Sequence, residues 1–138
     1  MRCEEILRGL RLEEKIALCS GSDCWHTKDM SGYGLPSMMM CDGPHGLRCQ
    51  KDAGDMLGIN RSEPATCFPT AALTACSWDP ALLEKIGRAI GEEARAAGVG
   101  LVLGPGVNIK RDPLCGRNFE YFSEDPYLAG KLAASFIR

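Results

Sequence analysis

The order of segments along the chain constrains its fold more than any other feature. An apolar run, a long polar loop and a helix that begins at Asp-Pro follow one another, and the same order then occurs again. The apolar runs are LPSMMMCD (35–42) and VGLVLGP (99–105). Runs this short and apolar are typical of strands buried on both faces. Because strands that alternate with helices form parallel sheets, the sequence predicts an α/β fold with parallel strands.

Asp-Pro pairs mark the beginnings of the two long helices. Asp79 and Asp125 can each accept hydrogen bonds from the first free amides of a helix, and the proline that follows suits the first helical position. Gly98 is expected to end the first of these helices. Residues 3–21 predict two short helical pieces, and residues 71–76 predict a further short strand.

Two long polar loops, residues 43–66 and 106–126, follow the carboxyl ends of the apolar runs. Loops of this length are uncommon in a compact domain unless they have a function. In a (β/α)8 barrel, the carboxyl ends of the strands form the face where substrate binds. A full barrel needs about 250 residues. The 138 residues are therefore expected to be the N-terminal part of a (β/α)8 TIM-like barrel in a longer protein.

Charge and hydropathy argue against several classes of partner. The formal net charge is −2 and no block of Lys or Arg occurs, which argues against nucleic acid and anionic membranes. No apolar run approaches the roughly 20 residues of a membrane helix. The charged first residues lack the apolar segment of a signal peptide, so a cytoplasmic location is expected.

Eight cysteines leave three alternatives open. Four disulfides would suit a secreted scaffold, but no export signal is present, and Cys41 and Cys76 stand in apolar surroundings. A metal site would need ligand spacing, but no CxxC pair occurs, and neither His26 nor His45 is suitably spaced from a cysteine. Free thiols are the preferred interpretation, and no metal or organic cofactor is expected.

The turn CDGPHGLR, residues 41–48, contains the first candidate site residues. Asp42 ends an apolar run, where its carboxylate would face the mouth of the sheet and accept hydrogen bonds from a pair of sugar hydroxyls. Arg48 follows across a Gly-Pro turn that can fold it back towards Asp42, and its guanidinium can donate to two hydroxyls or orient a carboxylate. The alternative for Asp42 is a bond within its own turn. For His45, a bond to the backbone is preferred over a functional role.

The second loop contains a third candidate, Arg117. It follows a glycine and precedes the apolar Phe119, so we expect a desolvated guanidinium whose acceptors a ligand can supply. The other charges of this loop are mostly expected to be solvated or paired, and the acids of SEDP to cap a helix. GPGVNIK lacks the glycine spacing and the GK[ST] ending of a phosphate loop.

Several long segments together form a specific signature that covers nearly the whole chain. They are LEEKIALCSG with a tryptophan shortly after it, GLPSMMMCDGPHGLR, CFPTAALTACSWDPALLEKIG and GVGLVLGPGVNIKRDPLCGRNFEYFSEDPYLAG. These segments resemble the N-terminal part of glycoside hydrolase family 3, of the β-glucosidase type. The resemblance implies a (β/α)8-like barrel domain followed by an α/β sandwich domain. It also implies retaining hydrolysis of β-linked sugars from the non-reducing end, by an aspartate nucleophile and a glutamate acid/base.

By motif, the resemblance implies that Asp42 binds hydroxyls of the sugar in the −1 subsite and that Arg48 and Arg117 line the same subsite. The family's nucleophile, acid/base and Lys-His motif lie in later parts of the protein, so no catalytic residue is expected in this chain. One departure is Arg11, where the family usually has a Ser or Thr able to cap the following helix.

Residues 1–138 are accordingly expected to form a partial N-terminal barrel domain of this family, inactive by itself. Its parent protein would act on a small β-glucoside or an oligosaccharide. The alternatives are a β-xylosidase or another exo-glycosidase of the family, and a non-catalytic sugar-binding remnant.

Overall fold

The computed structural model describes residues 3–50, 59 and 61–138. Within this part of the chain, the helices and strands are α1 (Cys3–Gly9), α2 (Leu12–Leu18), β1 (Met40–Asp42), α3 (Ala71–Ala75), α4 (Pro80–Ala96), β2 (Leu101–Leu103) and α5 (Pro126–Ile137). Short 3₁₀ helices at Ser31–Tyr33 and Asn118–Glu120 lie within loops. The predicted α/β order is confirmed. The part of the predicted 43–66 loop that comprises residues 51–58 and 60 lies outside the described residues.

The strands β1 and β2 lie side by side and run parallel, as predicted. Met40 pairs with Leu101 and Asp42 pairs with Leu103, so both strands end at the same level. α4 connects the strands and packs against β2, which is the βαβ unit from which (β/α)8 barrels are built. The expectation that the second strand is buried on both faces is wrong in this structure. Leu101 and Leu103 are 40% and 44% exposed. Among the described residues β2 has one neighbouring strand, β1, and its other edge is uncovered.

The segment predicted as a third strand is instead the helix α3. Its buried residues, Ala71, Thr74 and Ala75, recur at helical spacing, while Leu73 between them is 63% exposed. Alanine favours a helix, and a short apolar run by itself does not distinguish a helix from a strand. Because Cys76 follows the end of this helix, it is exposed, contrary to expectation.

The long helices begin at the predicted capping residues. The Asp79 carboxylate accepts hydrogen bonds from the amides of Ala81 and Leu82 at 2.9 and 3.1 Å. The Asp125 carboxylate accepts the Tyr127 amide at 2.9 Å in the same way. Each side chain satisfies amides that have no partner within the first helical turn. The predicted role of SEDP as a helix cap is therefore confirmed.

The short helices at the N-terminus also lie where predicted, although Arg11 is not a usual capping residue. The Arg11 amide donates to Glu14 Oε2 at 2.8 Å, and its guanidinium donates to Oε1 at 3.1 Å. Glu14 thus satisfies an amide at the beginning of α2 through its own side chain. The missing Ser or Thr is offset by this bond.

The hydrophobic core consists of two clusters that share α4. One joins β1 and the loop after it to α4, and the other joins α3, α4 and α5; their least exposed side chains are Cys41, Leu83, Ile90 and Leu132. All eight cysteines are free thiols. Burial raises the pKa of Cys41 to about 11, which keeps this thiol protonated and unreactive.

Two classes of structure are not found in the described part of the chain. No group of three His, Cys, Asp or Glu side chains there stands close enough to hold a metal ion. No helix in that part is long and apolar enough to cross a membrane.

Candidate functional site

A tight turn after β1 brings Arg48 back beside Asp42. The Arg48 amide donates to the Asp42 carbonyl at 2.8 Å, and the two residues form an antiparallel bridge. Gly43 and Gly46 make this turn with φ angles of 143° and 127°, in a region that other residues rarely adopt. The predicted return of the chain from Asp42 to Arg48 is confirmed for the backbone.

Asp42 lies half-buried at the carboxyl end of the sheet. Its Oδ1 accepts the Gly43 amide at 3.2 Å, which is the bond within its own turn that an Asp-Gly pair is expected to make. Its strand partner is Leu103, the last residue of β2. Because both strands end here, the carboxylate stands where the two long loops begin. A ligand at this face would therefore meet Asp42 together with residues of both loops.

His45 joins this turn to α3 and to the second loop. Its Nε2 accepts the Ala71 amide at 2.9 Å, and its carbonyl accepts the Phe68 amide at 2.8 Å. An Nε2 that accepts belongs to a neutral ring with the proton on Nδ1. The ring lies against Phe119, with centroids 6.2 Å apart. The expected backbone bond of His45 is confirmed.

Protonation of His45 is expected to destabilise the fold at acidic pH. Burial lowers the pKa of His45, although the nearby Glu120 carboxylate opposes this effect. A protonated Nε2 also cannot accept the Ala71 amide. The folded state therefore binds fewer protons than the unfolded state. The stabilisation by the neutral ring is present above about pH 6.5 and is lost as the pH falls through the lower pKa of the folded state.

The measurement is the free energy of unfolding of the wild type and of His45→Asn between about pH 8 and about pH 5. The free energy of unfolding of the wild type should exceed that of His45→Asn at neutral pH. This difference should shrink by about 1 kcal/mol at the acidic end, the contribution of one hydrogen bond. His26→Asn changes the other histidine of the chain and serves as the control. Equal pH dependence in the wild type and His45→Asn would contradict the prediction.

The second loop folds back on itself and contacts the first loop. Gly106, at its beginning, forms a bridge with Tyr121 near its end. Gly104 lies so close to the first turn that a Cβ there would stand 2.9 Å from Pro44 Cα. Pro44 and His45 also line a small void together with Pro105 and Gly106. The two loops that follow the strands therefore pack together at one end of the sheet.

Arg117 lies in the second loop and forms an ion pair with Glu120. Its Nε donates to Glu120 Oε1, and its Nη2 donates to Oε2 at 3.1 Å. The guanidinium carbon lies 5.8 Å from the centroid of the buried Tyr121 ring. The hydrogen-bonded pair raises the pKa of Arg117 and lowers the pKa of Glu120. The expectation of a desolvated guanidinium is wrong, because the Arg117 side chain is 70% exposed and Glu120 supplies acceptors.

The structure brings two of the three predicted site residues into direct contact and connects the third to them indirectly. The backbone brings Asp42 and Arg48 together directly. Arg117 reaches the same end of the sheet through its neighbours, since Phe119 packs against His45 in the first turn. Sequence reasoning missed the pairing of Glu120 with Arg117. The signal was an acid three residues after an arginine, a spacing that places side chains on one edge of a 3₁₀ turn.

A larger cleft, of about 1310 Å³, reaches Leu47 and Cys49 on either side of Arg48. Its lining includes Trp25, Met39, Gln50, Glu93 and Ala97, and none of the three predicted site residues. Ala97 follows the end of α4 and precedes β2, so this cleft reaches the amino ends of the strands. Because ligands of (β/α)8 barrels bind at the carboxyl ends, the contact between the two loops is the better candidate site.

Known proteins are similar to this chain in sequence and in fold. The chain is 60% identical to "Thermostable beta-glucosidase B" of Acetivibrio thermocellus, covering 98% of this chain and 18% of that protein. It is 51% identical to "Exo-alpha-(1->6)-L-arabinopyranosidase" of Bifidobacterium longum, covering 95% of this chain and 17% of that protein. The chain therefore spans less than a fifth of the length of these curated relatives.

Solved structures of similar proteins superpose on most of the chain. A beta-glucosidase from Kluyveromyces marxianus in complex with glucose matches with a TM-score of 0.84 and 40% identity, over 99% of this chain and 16% of that one. A beta-glucosidase from Bifidobacterium adolescentis matches with a TM-score of 0.79 and 48% identity, over 94% of this chain and 18% of that one. The sequence profile of the "Glycosyl hydrolase family 3 N terminal domain" matches residues 27–138. This match spans most of the chain, which therefore belongs to glycosyl hydrolase family 3.

Proposed function

We propose that this chain is part of a longer β-glucosidase that removes glucose from the non-reducing end of small β-glucosides or oligosaccharides with retention of configuration. The observation that carries the proposal is the turn that places Asp42 beside Arg48 at the carboxyl ends of two parallel strands. The beta-glucosidases to which the chain is similar in sequence and in fold support the same proposal.

The three site residues offer complementary groups to a sugar. A sugar hydroxyl both donates and accepts hydrogen bonds, and the Asp42 carboxylate only accepts them. The guanidinium groups of Arg48 and Arg117 only donate. Bonds in which one partner is charged are about twice as strong as neutral ones. Together, one carboxylate and two guanidinium groups can hold adjacent hydroxyls of one pyranose ring and fix its orientation.

The chemical step needs two further carboxyl groups, a nucleophile and an acid/base, about 5 Å apart. We propose that both come from residues of the longer protein outside these 138. The role of this chain is then to orient the sugar whose glycosidic bond is cleaved. By itself the chain is expected not to hydrolyse glycosides.

A second candidate is cleavage of α-L-arabinopyranosides. The Bifidobacterium relatives named exo-alpha-(1->6)-L-arabinopyranosidases are 51% and 50% identical to this chain, so the sequence of this region tolerates a change of substrate. The same acceptors and donors can bind the hydroxyls of either pyranose. Residues outside the chain would then choose between the two sugars.

The test is hydrolysis of a panel of nitrophenyl glycosides by the full-length protein that carries this chain. We expect the β-D-glucopyranoside to give the highest kcat/KM, and NMR to detect the β-anomer of glucose as the first product. A higher kcat/KM for the α-L-arabinopyranoside would favour the second candidate. Inverted product would overturn the retaining mechanism. Sugar binding without hydrolysis of any glycoside would support a non-catalytic sugar-binding protein.

A further inference from the structure

The two side chains of the ion pair between Arg117 and Glu120 differ in their exposure to solvent. The Glu120 side chain is 15% exposed, whereas that of Arg117 is 70% exposed. A surface pair of this kind contributes little to stability when both partners move freely. Here the carboxylate is shielded and accepts from two nitrogens of the same guanidinium. The pair is therefore better suited to orienting the arginine than to stabilising the fold.

The guanidinium is held along one edge and lies beside an aromatic ring. Its Nε and Nη2 point to Glu120, and its carbon lies 5.8 Å from the centroid of the Tyr121 ring. Because a guanidinium is planar, the hydrogens of Nη1 and the second hydrogen of Nη2 point away from Glu120. These are the donors that a ligand can reach.

Glu120 is in turn linked to the turn that contains Asp42. The Glu120 amide donates to the Arg117 carbonyl at 3.1 Å, which fixes the 3₁₀ turn between them. The adjacent Phe119 lies against the His45 ring. The position of Arg117 thus depends on the same turn that carries Asp42.

We propose that Glu120 is a positioning residue for sugar binding: it holds one edge of the Arg117 guanidinium so that the opposite edge faces the hydroxyls bound by Asp42 and Arg48. This inference rests on the proposed function and deepens it. Glu120 does not touch the sugar itself. A guanidinium held in place before binding loses less side-chain entropy when the sugar arrives. Glu120 should therefore act on the affinity for the sugar.

The test compares Glu120→Gln, Arg117→Ala and the double variant in the full-length protein. For a nitrophenyl β-D-glucoside, we expect Glu120→Gln to raise KM about 3- to 10-fold with little change in kcat, since ordering one long side chain costs about 0.5–1.5 kcal/mol. Arg117→Ala should lower kcat/KM further. The double variant should match Arg117→Ala, because Glu120 acts only through the arginine.

Glu84→Gln is the matched control. It removes the charge of another arginine-paired glutamate, whose Oε1 lies 3.2 Å from Arg88 Nη2 on the exposed face of α4. This variant should keep the kcat, KM and melting temperature of the wild type. Glu120→Gln should keep the melting temperature as well, because its amide retains the shape of the side chain.

The possible outcomes separate this inference from the proposed function. If Arg117→Ala is impaired and Glu120→Gln behaves as the wild type, the positioning role is wrong and the proposed site stands. If Arg117→Ala binds and cleaves normally, Arg117 is outside the sugar site and both proposals for this residue fail. If Glu120→Gln lowers kcat/KM by the same factor with and without Arg117→Ala, the two residues act independently and the inference is overturned. It is also overturned if Glu120→Gln lowers the melting temperature and reduces kcat and kcat/KM equally.

Discussion

Replacing Asp42 with alanine is expected to lower kcat/KM for a β-glucoside by about 10²- to 10⁴-fold in the full-length protein. A hydrogen bond from a sugar hydroxyl to a charged acceptor contributes about 1.5–3 kcal/mol, and the carboxylate can accept two of them. Each 1.4 kcal/mol corresponds to about a factor of ten. The measurement is steady-state kinetics with a nitrophenyl glucoside, with circular dichroism to establish that the variant folds.

Two further variants separate sugar binding from support of the turn. Asp42→Asn retains an oxygen that can accept the Gly43 amide, now 3.2 Å from Oδ1, but it removes the charge. It should therefore keep the stability of the protein and still lose activity. Asp29→Asn is the control, because Asp29 accepts from Ser31 and Ser37 in a different loop. Near-normal kcat/KM in Asp42→Ala would contradict the assignment.

Replacing Gly46 with alanine is expected to destabilise the protein by about 2–6 kcal/mol, the sum of backbone strain and overpacking. A Cβ at this position would stand 2.0 Å from the Thr66 carbonyl oxygen, and φ is 127°. The backbone of the turn would have to move, and with it Asp42 and Arg48 on either side. Urea unfolding measures the loss of stability, and kcat/KM should fall in the molecules that remain folded.

Gly34→Ala is the matched control for this variant. Gly34 also has a positive φ, 76°, but a Cβ there would meet nothing within 4 Å. It should show only the cost of the left-handed conformation, about 1–2 kcal/mol. Equal destabilisation by the two substitutions would mean that the close approach to Thr66 does not matter.

The features that were predicted correctly from the sequence depend on neighbours in the chain. Asp79 and Asp125 cap helices through amides two or three residues away. The return from Asp42 to Arg48 needs only a short turn with two glycines. Local geometry limits such contacts to a few arrangements, so residue types and spacing are sufficient to predict them.

The features that were missed depend on what packs against a segment. α3 is a helix because Ala71, Thr74 and Ala75 are buried by other parts of the chain, and the run AALTA does not reveal this. The glycine before Arg117 and the apolar Phe119 after it predict a desolvated guanidinium. Its exposure is instead decided by the fold of the second loop, which turns Tyr121 inward and the guanidinium outward.

The sequence by itself therefore determined the α/β order, the parallel strands, the helix caps and the family, since these follow from periodicity, local bonds and long motifs. Only the tertiary structure decided which loops meet and how the candidate site is supported. It placed His45 between α3 and Phe119 and bound Arg117 to a shielded Glu120. The physical reason is that burial and contacts between distant segments depend on the packing of the whole chain, which the spacing of residues does not encode.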